Sequence, residues 1–201
     1  LEVGDPNAIS PTADVYEADD DFRRRIQLSF EGYTTAGSAG SYVFHALSAD
    51  GNVKDVSVVS DVPGQVNVYV LSRIGDGTAD SALVQSVAAA LNADEVRPMT
   101  DLVVVSSAAI VNYAIQAELT LYPGPDSDVV RQAALDAATA HVENIKRLGL
   151  DVSRSAILAQ LHQPGVQDVN LIAPAANIVV DESEAANCTG VTLTVKAGRN
   201  E

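Results

Sequence analysis

From Val111 to Leu121 apolar side chains fall at every second position: Val111, Tyr113, Ile115, Ala117, Leu119 and Leu121. A period of two belongs to a β-strand, whose successive side chains point to opposite faces, so one face of this run is expected to be buried. After Pro123-Gly124-Pro125 the period changes, and Val130, Ala134, Ala138, Val142 and Ile145 recur every three or four residues. That is the stripe of an amphipathic helix beginning at Asp126, with Gly149 read as its stop. A strand with one apolar face followed by a helix with one apolar stripe defines an α+β layer.

The flanking sequence supplies further elements of the same kind. Residues 1–18, with Pro6 and Pro11 among small polar residues, read as an arm or linker. Asp19, Asp20 and Asp21 precede Phe22, Ile26 and Leu28, as at the acidic start of a short helix. A Gly-, Thr- and Ser-rich connector over 32–40 leads to a second helix bearing Tyr42, Val43, Ala46 and Leu47, with Ser41 as its expected cap. Val53 to Ser60 and Gln65 to Ser72 read as a hairpin around Pro63-Gly64. A helix from Ala79 to Asn92 and a strand from Leu102 to Val105 follow. Beyond the long helix, the pattern gives a helix from Ser153 to His162 and strands at 166–172, 178–180 and 191–195.

Two distant stretches echo each other. Phe44-His45-Ala46-Leu47, a turn, then Val53-Lys54-Asp55-Val56 is matched by Leu158-Ala159-Gln160-Leu161, a turn, then Val166-Gln167-Asp168-Val169. The V-x-D-V string is read as placing both valines on one strand face and the Asp on the other. Short β-rich strings can also coincide by chance. The expected architecture is α+β, with two related modules, each packing helices on one face of a small, mostly antiparallel sheet. The arm covers 1–18, the first module 19–108 and the second 109–201.

Composition narrows the function. Hydrophobic residues make up 47% and charged residues 19%, enough to bury a core and unlike a disordered chain. Twelve Lys and Arg against 27 Asp and Glu give a net charge of -15, which repels phosphate backbones, so nucleic acid is not an expected partner. The basic cluster Arg23, Arg24 and Arg25 follows Asp19 to Asp21 at spacings that allow i,i+4 pairing. No apolar run approaches the ~18 residues of a membrane span, and no leader opens the chain. Leu1 stands where an initiator Met would be, as in a trimmed or partial chain. Cys188 is the single cysteine, which excludes an intramolecular disulfide and a cysteine-based zinc site.

Signatures of catalysis are missing: there is no G-x-S-x-G elbow, P-loop lysine motif, H-E-x-x-H pair or G-x-G-x-x-G before a helix. His45, His141 and His162 lie far apart, which disfavours a metal site. Asp76-Gly77-Thr78-Ala79-Asp80 lacks the further ligands of a calcium loop and reads as a helix-capping loop. The 37–41 stretch could offer backbone N–H groups to an anion but suits a connector better. Asp50 with Asp55, and Asp181, Glu182 and Glu184, are candidate carboxylate pairs better explained as solvated loops. No catalytic residue, cofactor or metal is expected.

An ordered set of strings resembles the baseplate J-like family of contractile-tail phages and prophages over nearly all of residues 16 to 196. The strings are Asp19-Asp20-Asp21-Phe22-Arg23-Arg24-Arg25-Ile26, Tyr33-Thr34-Thr35-Ala36-Gly37 with Gly40-Ser41-Tyr42, and His45-Ala46-Leu47-Ser48-Ala49. Val70-Leu71-Ser72-Arg73, Gly75-Asp76-Gly77, Val96-Arg97-Pro98-Met99-Thr100-Asp101, Leu121-Tyr122-Pro123-Gly124-Pro125 and Leu161-His162-Gln163-Pro164-Gly165-Val166 continue the order. Family members commonly extend further at the N-terminus. The resemblance implies a structural wedge component of the virion tail baseplate, assembled in the bacterial host cytoplasm and multimeric in its ring. Its partners would be other wedge and hub proteins, and it would relay the contraction signal without enzymatic activity.

If surface complementarity is the function, exposed arginines and aromatics are the natural anchors. Arg23, Arg24, Arg25, Tyr33, Tyr42 and Tyr122 are the candidate subunit-interface residues, a core or core-rim position being the alternative for each tyrosine. Two other functions are weighed: a tail-tip receptor- or carbohydrate-binding module, for which three Phe, six Tyr and no Trp are few aromatics, and an envelope-acting hydrolase, which would need a cleft with convergent polar groups.

Overall fold

The computed structural model describes residues 19–29, 38–93, 96–124 and 126–197. They form two compact units, one ending at Ala108 and the other beginning at Ala109. In the first unit the order is α1 (Asp19–Leu28), α2 (Ala39–Ala49), β1 (Val53–Val59), β2 (Gln65–Ser72), α3 (Ser81–Leu91) and β3 (Leu102–Ser107). In the second it is β4 (Ala109–Leu121), α4 (Ser127–Ile145), α5 (Arg154–Leu161), β5 (Val166–Ala173) and β6 (Glu184–Ala197).

Helix starts follow capping chemistry. The Asp80 carboxylate accepts the Leu83 N–H at the head of α3, and Asp126 accepts the Asp128 N–H at the head of α4. At α2 the cap is Ser38, whose hydroxyl accepts the Ser41 N–H; Ser41, the expected cap, is buried in the first turn. Helix α4 ends at Ile145 with Lys146 as its C-cap, so Gly149 is not the helix stop. Gly149 takes a left-handed φ of 69° and donates its N–H to Glu184 O, tying the turn after α4 to the start of β6.

Each unit carries a three-stranded sheet with helices packed into one core. In the first sheet, ordered β1-β2-β3, β1 and β2 are antiparallel while β2 and β3 are parallel. Val66, Val68 and Val70 of β2 meet Tyr42 and Ala46 of α2 and Leu83, Val87 and Leu91 of α3. Full burial of each Val or Leu contributes roughly 1.5–3 kcal/mol before entropy is counted. In the second sheet, ordered β5-β4-β6, the alternating strand sits in the centre, and Tyr113, Ile115, Ala117, Leu119 and Leu121 face Val130, Ala134, Ala138 and Val142 of α4. The expected α+β modules with one-sided helices are thus present. Their sheets are mixed, because in each the third strand returns to pair in parallel with the centre, β3 after the helical crossover α3. The expected strand at 178–180 is a single bridge, Val152 to Ile178.

The echo in the sequence falls on equivalent places of two differently wired units. In each, an edge strand preceded by a helix pairs antiparallel with the centre: α2-β1 in the first, α5-β5 in the second. The centre strand leads into the next helix, β2 to α3 and β4 to α4, and the remaining edge strand is parallel, β3 or β6. Helix contacts follow the same correspondence, α2 on β1 and α3 on β3 against α5 on β5 and α4 on β6. The first unit runs helix-strand, strand-helix, strand, whereas the second exchanges the first two pieces. The modules share a layout and are not tandem copies of one chain path.

The echoed V-x-D-V string has a specific geometry. Valines three apart point to opposite faces of a regular strand, yet Val53 and Val56 are both in the core. The register explains it: Val53 opposes Ser72 and Asp55 opposes Leu71, so Lys54 is an extra residue, a β-bulge. Val166 opposes Leu121 and Asp168 opposes Thr120, so Gln167 is the same bulge in the second unit. The bulge puts both valines on the core face and both Asp residues on the opposite face, where Asp55 is buried and Asp168 exposed.

Candidate functional site

The six interface candidates divide by environment. Arg24 leaves α1 to donate through Nη1 to Oδ1 of Asp55, 2.7 Å away, and so joins the helix to the bulged strand β1. The Asp55 carboxylate that the bulge aims outward is itself buried. Arg25 lies over the ring of Phe22, with its guanidinium carbon 5.4 Å from the centroid. Phe22 and Ile26 expose apolar surface on the same helix, and Arg23 is exposed beside them. The expected pairing of this cluster with Asp20 and Asp21 involves side chains outside the described residues.

Tyr42 is a core residue, only 2% exposed, and its hydroxyl donates to Asp101 Oδ2 at 2.8 Å. Burial first, then the Asp101 carboxylate, pushes its phenol well above the ordinary tyrosine range, while Arg97 pulls weakly the other way. It therefore supplies no exposed anchor. Tyr122 is 52% exposed, immediately after β4, with its backbone N–H on Gly165 O. Tyr33 lies outside the described residues.

The polar groups considered for chemistry sit in local structure. Asp76 accepts the Thr78 N–H and Asp80 caps α3, so the acidic loop organises a helix start. Asp50 accepts the Asn52 N–H in the turn before β1, and Glu184 accepts the Asp181 N–H. His45 packs its ring edge-on against Phe44. Among the described residues no group of three or more His, Cys, Asp or Glu is arranged to hold a metal. A shallow cleft in the first unit is lined by Ala39, Tyr42, Val58, Ser60, Gly64, Val66 and Asp101. Its one acidic group is Asp101, already accepting from Tyr42, so the arrangement can exchange hydrogen bonds but presents no nucleophile with a base beside it.

Extended surfaces were not legible residue by residue. The outer face of the second sheet is polar, with Glu118 Oε2 accepting from Lys196 Nζ at 2.6 Å and from Asn170 Nδ2 at 3.3 Å, and Asn187 Nδ2 donating to Asn112 Oδ1 at 2.8 Å. The edge of the first sheet exposes Leu102 and Val104. The signals existed, as the polar positions of the alternating strand and the charge-free string Leu102-Val103-Val104-Val105, but which strands lie at an edge is a tertiary fact.

Two α+β units, each a three-stranded mixed sheet packed with helices, define the class of fold, and the family follows from their sequences. The first unit matches the Baseplate J-like central domain over residues 34–107, and the second the Baseplate J-like protein C-terminal domain over residues 113–194. The chain belongs to the baseplate J-like family. It is 49% identical over 189 residues to Baseplate protein J of Escherichia phage P2, covering 94% of this chain and 63% of that protein. A similar fold occurs in the cryo-EM structure of the anti-feeding prophage baseplate, six-fold symmetrised, with a TM-score of 0.58 and 14% identity over 86% of this chain and 42% of that one. Among the described residues no helix is long and apolar enough to cross a membrane.

Proposed function

We propose that this protein is a structural component of a contractile-tail baseplate, without enzymatic activity, residing in the virion tail. The observation that carries this reading is the consecutive match of both units to the central and C-terminal baseplate J-like domains, together with 49% identity to a phage baseplate protein. Within that reading the chain acts as a wedge: it binds neighbouring wedge and hub subunits, repeats around the ring and transmits the contraction signal to them. Assembly takes place in the host cytoplasm. An acidic surface of net charge -15 and separate histidines suit protein contacts better than nucleic-acid binding or catalysis.

The test is co-expression of this chain with its neighbouring tail proteins, followed by size-exclusion chromatography with light scattering. A heteromeric complex of defined stoichiometry is the expected result. A chain that stays monomeric beside every partner would remove the wedge assignment, and binding of the isolated chain to envelope glycans would favour the receptor-binding alternative.

A further inference from the structure

The four edge strands of the two sheets are not equally protected against pairing with another chain. Strands β1 and β5 carry the bulges at Lys54 and Gln167. In β6 the register slips opposite Tyr113 and Ile115, and the strand bears Gly190 and the ion-paired Lys196. Bulges and charges of this kind are how natural sheets blunt their edges. Strand β3 has neither. Its sequence, Leu102-Val103-Val104-Val105-Ser106-Ser107, has no charge, proline or glycine, and it pairs with β2 in unbroken register from Gln65 and Leu102 to Val70 and Ser107. Leu102 is 60% and Val104 38% exposed, on the sheet face opposite Val103 and Val105, which pack against the core.

The backbone of that edge is equally open. Leu102 N–H donates to Gly64 O at 2.7 Å and Ala108 N–H to Val70 O at 2.9 Å, so the even-numbered residues bond inward to β2. In a parallel pair the alternate residues then direct their N–H and C=O groups away. For Val103 and Val105 no described residue provides a backbone partner on that side. A row of donors and acceptors with no backbone partner among the described residues, beside alternating apolar side chains, fits one kind of ligand, an added extended strand.

Charge selects whose strand it is. Asp101 stands at the entry of β3, and at its exit Ser107 Oγ accepts the N–H of Ala79, which lies between Asp76 and Asp80. An antiparallel second copy would bring Asp101 of each chain, with the Arg97 guanidinium on its carbonyl at 3.1 Å, toward the acidic loop of the other, so what disfavours a second copy is the net charge of -15 on each chain. We propose that the β3 edge takes an extended strand from a different baseplate subunit, with apolar residues alternating over Leu102 and Val104 and Lys or Arg at its flanks. This rests on the baseplate reading and names one surface through which it operates.

Amide hydrogen exchange at Val103 and Val105 tests it, measured on the full chain alone and in purified baseplates. Both amides should exchange freely in the isolated chain and slow by roughly 100-fold or more in the assembly. Val104→Lys, a charge on an already exposed edge position, should reduce incorporation by about tenfold or more while leaving the thermal midpoint of the isolated chain close to wild type. Val105→Pro removes an outward N–H and no bond to β2, and should act in the same direction. Incorporation with both amides still exchanging freely would overturn the inference and leave the baseplate reading standing. Protection already present in a homodimer of the isolated chain would replace the foreign strand by a second copy. Absence of the wild-type chain from baseplates would remove both.

Discussion

Two core tyrosines take their hydroxyls into opposite circumstances. Tyr42 donates to Asp101, whereas the hydroxyl of Tyr113 is buried and finds no hydrogen-bond partner among the described residues. Burial, followed by the nearby Cys188 and Glu143, pushes the Tyr113 phenol well above its usual range, so the group stays neutral and undissociated. A buried hydroxyl with a charged acceptor contributes stability, and one without an acceptor costs it. Tyr42→Phe is therefore expected to lower the unfolding free energy by about 1–2 kcal/mol, and Tyr113→Phe to leave it unchanged or raise it by up to ~1 kcal/mol. Urea denaturation of the two variants checks the opposite signs. Of the residues nominated for the interface, sequence type identified the arginines and tyrosines but not their surroundings. Tyr42 went into the core because its helical stripe faces the sheet, while Tyr122 stays outside because it follows the last inward residue of β4.

At the level of elements, the bulges and the cross-strand ion pair decide behaviour. Inserting one alanine after Gln167 would add a second unpaired residue to β5 and set Val166 and Val169 on opposite faces, so a loss of about 3 kcal/mol or more is expected. Gln167→Ala keeps the register, and the buried Gln167 Oε1 has no hydrogen-bond partner among the described residues, so its effect should be much smaller. Thermal unfolding of the pair separates register from side chain. Glu118 ties the three strands of the second sheet together, and hydrogen bonds from Lys196 and then Asn170 hold its carboxyl below the ordinary carboxylate range. A carboxyl lowered in the folded state stabilises fully above its unfolded value, near 4.5, and loses that contribution as pH falls through the lowered one. Glu118→Gln should flatten the acid limb of the stability profile below that pH and leave no comparable change in slope near neutrality. The V-x-D-V strings were visible in the sequence, but three-residue spacing contradicts a regular strand, and only the register reveals the bulge that reconciles them.

Across the whole molecule, each unit has its own core, and β4 begins one residue after Ala108, which itself donates back to Val70. A fragment spanning 109–201 is expected to unfold in a single cooperative transition, followed by circular dichroism; a non-cooperative melt would show that this unit depends on the rest of the chain. The periodicities determined by themselves that the chain is α+β, where its long strand and long helix run, and which of their faces are apolar, because those patterns follow from backbone geometry within a few residues. The ordered strings resembled the baseplate J-like family for the same reason, being a property of the chain read in order. Tertiary structure alone decided that both sheets are mixed, that the echoed segments occupy equivalent places in differently connected units, and that β3 lies at the edge of its sheet among the described residues. Strand partnership and edge position are set by contacts between residues distant in sequence, where loop closure and packing of a shared core choose among pairings that local pattern leaves equivalent.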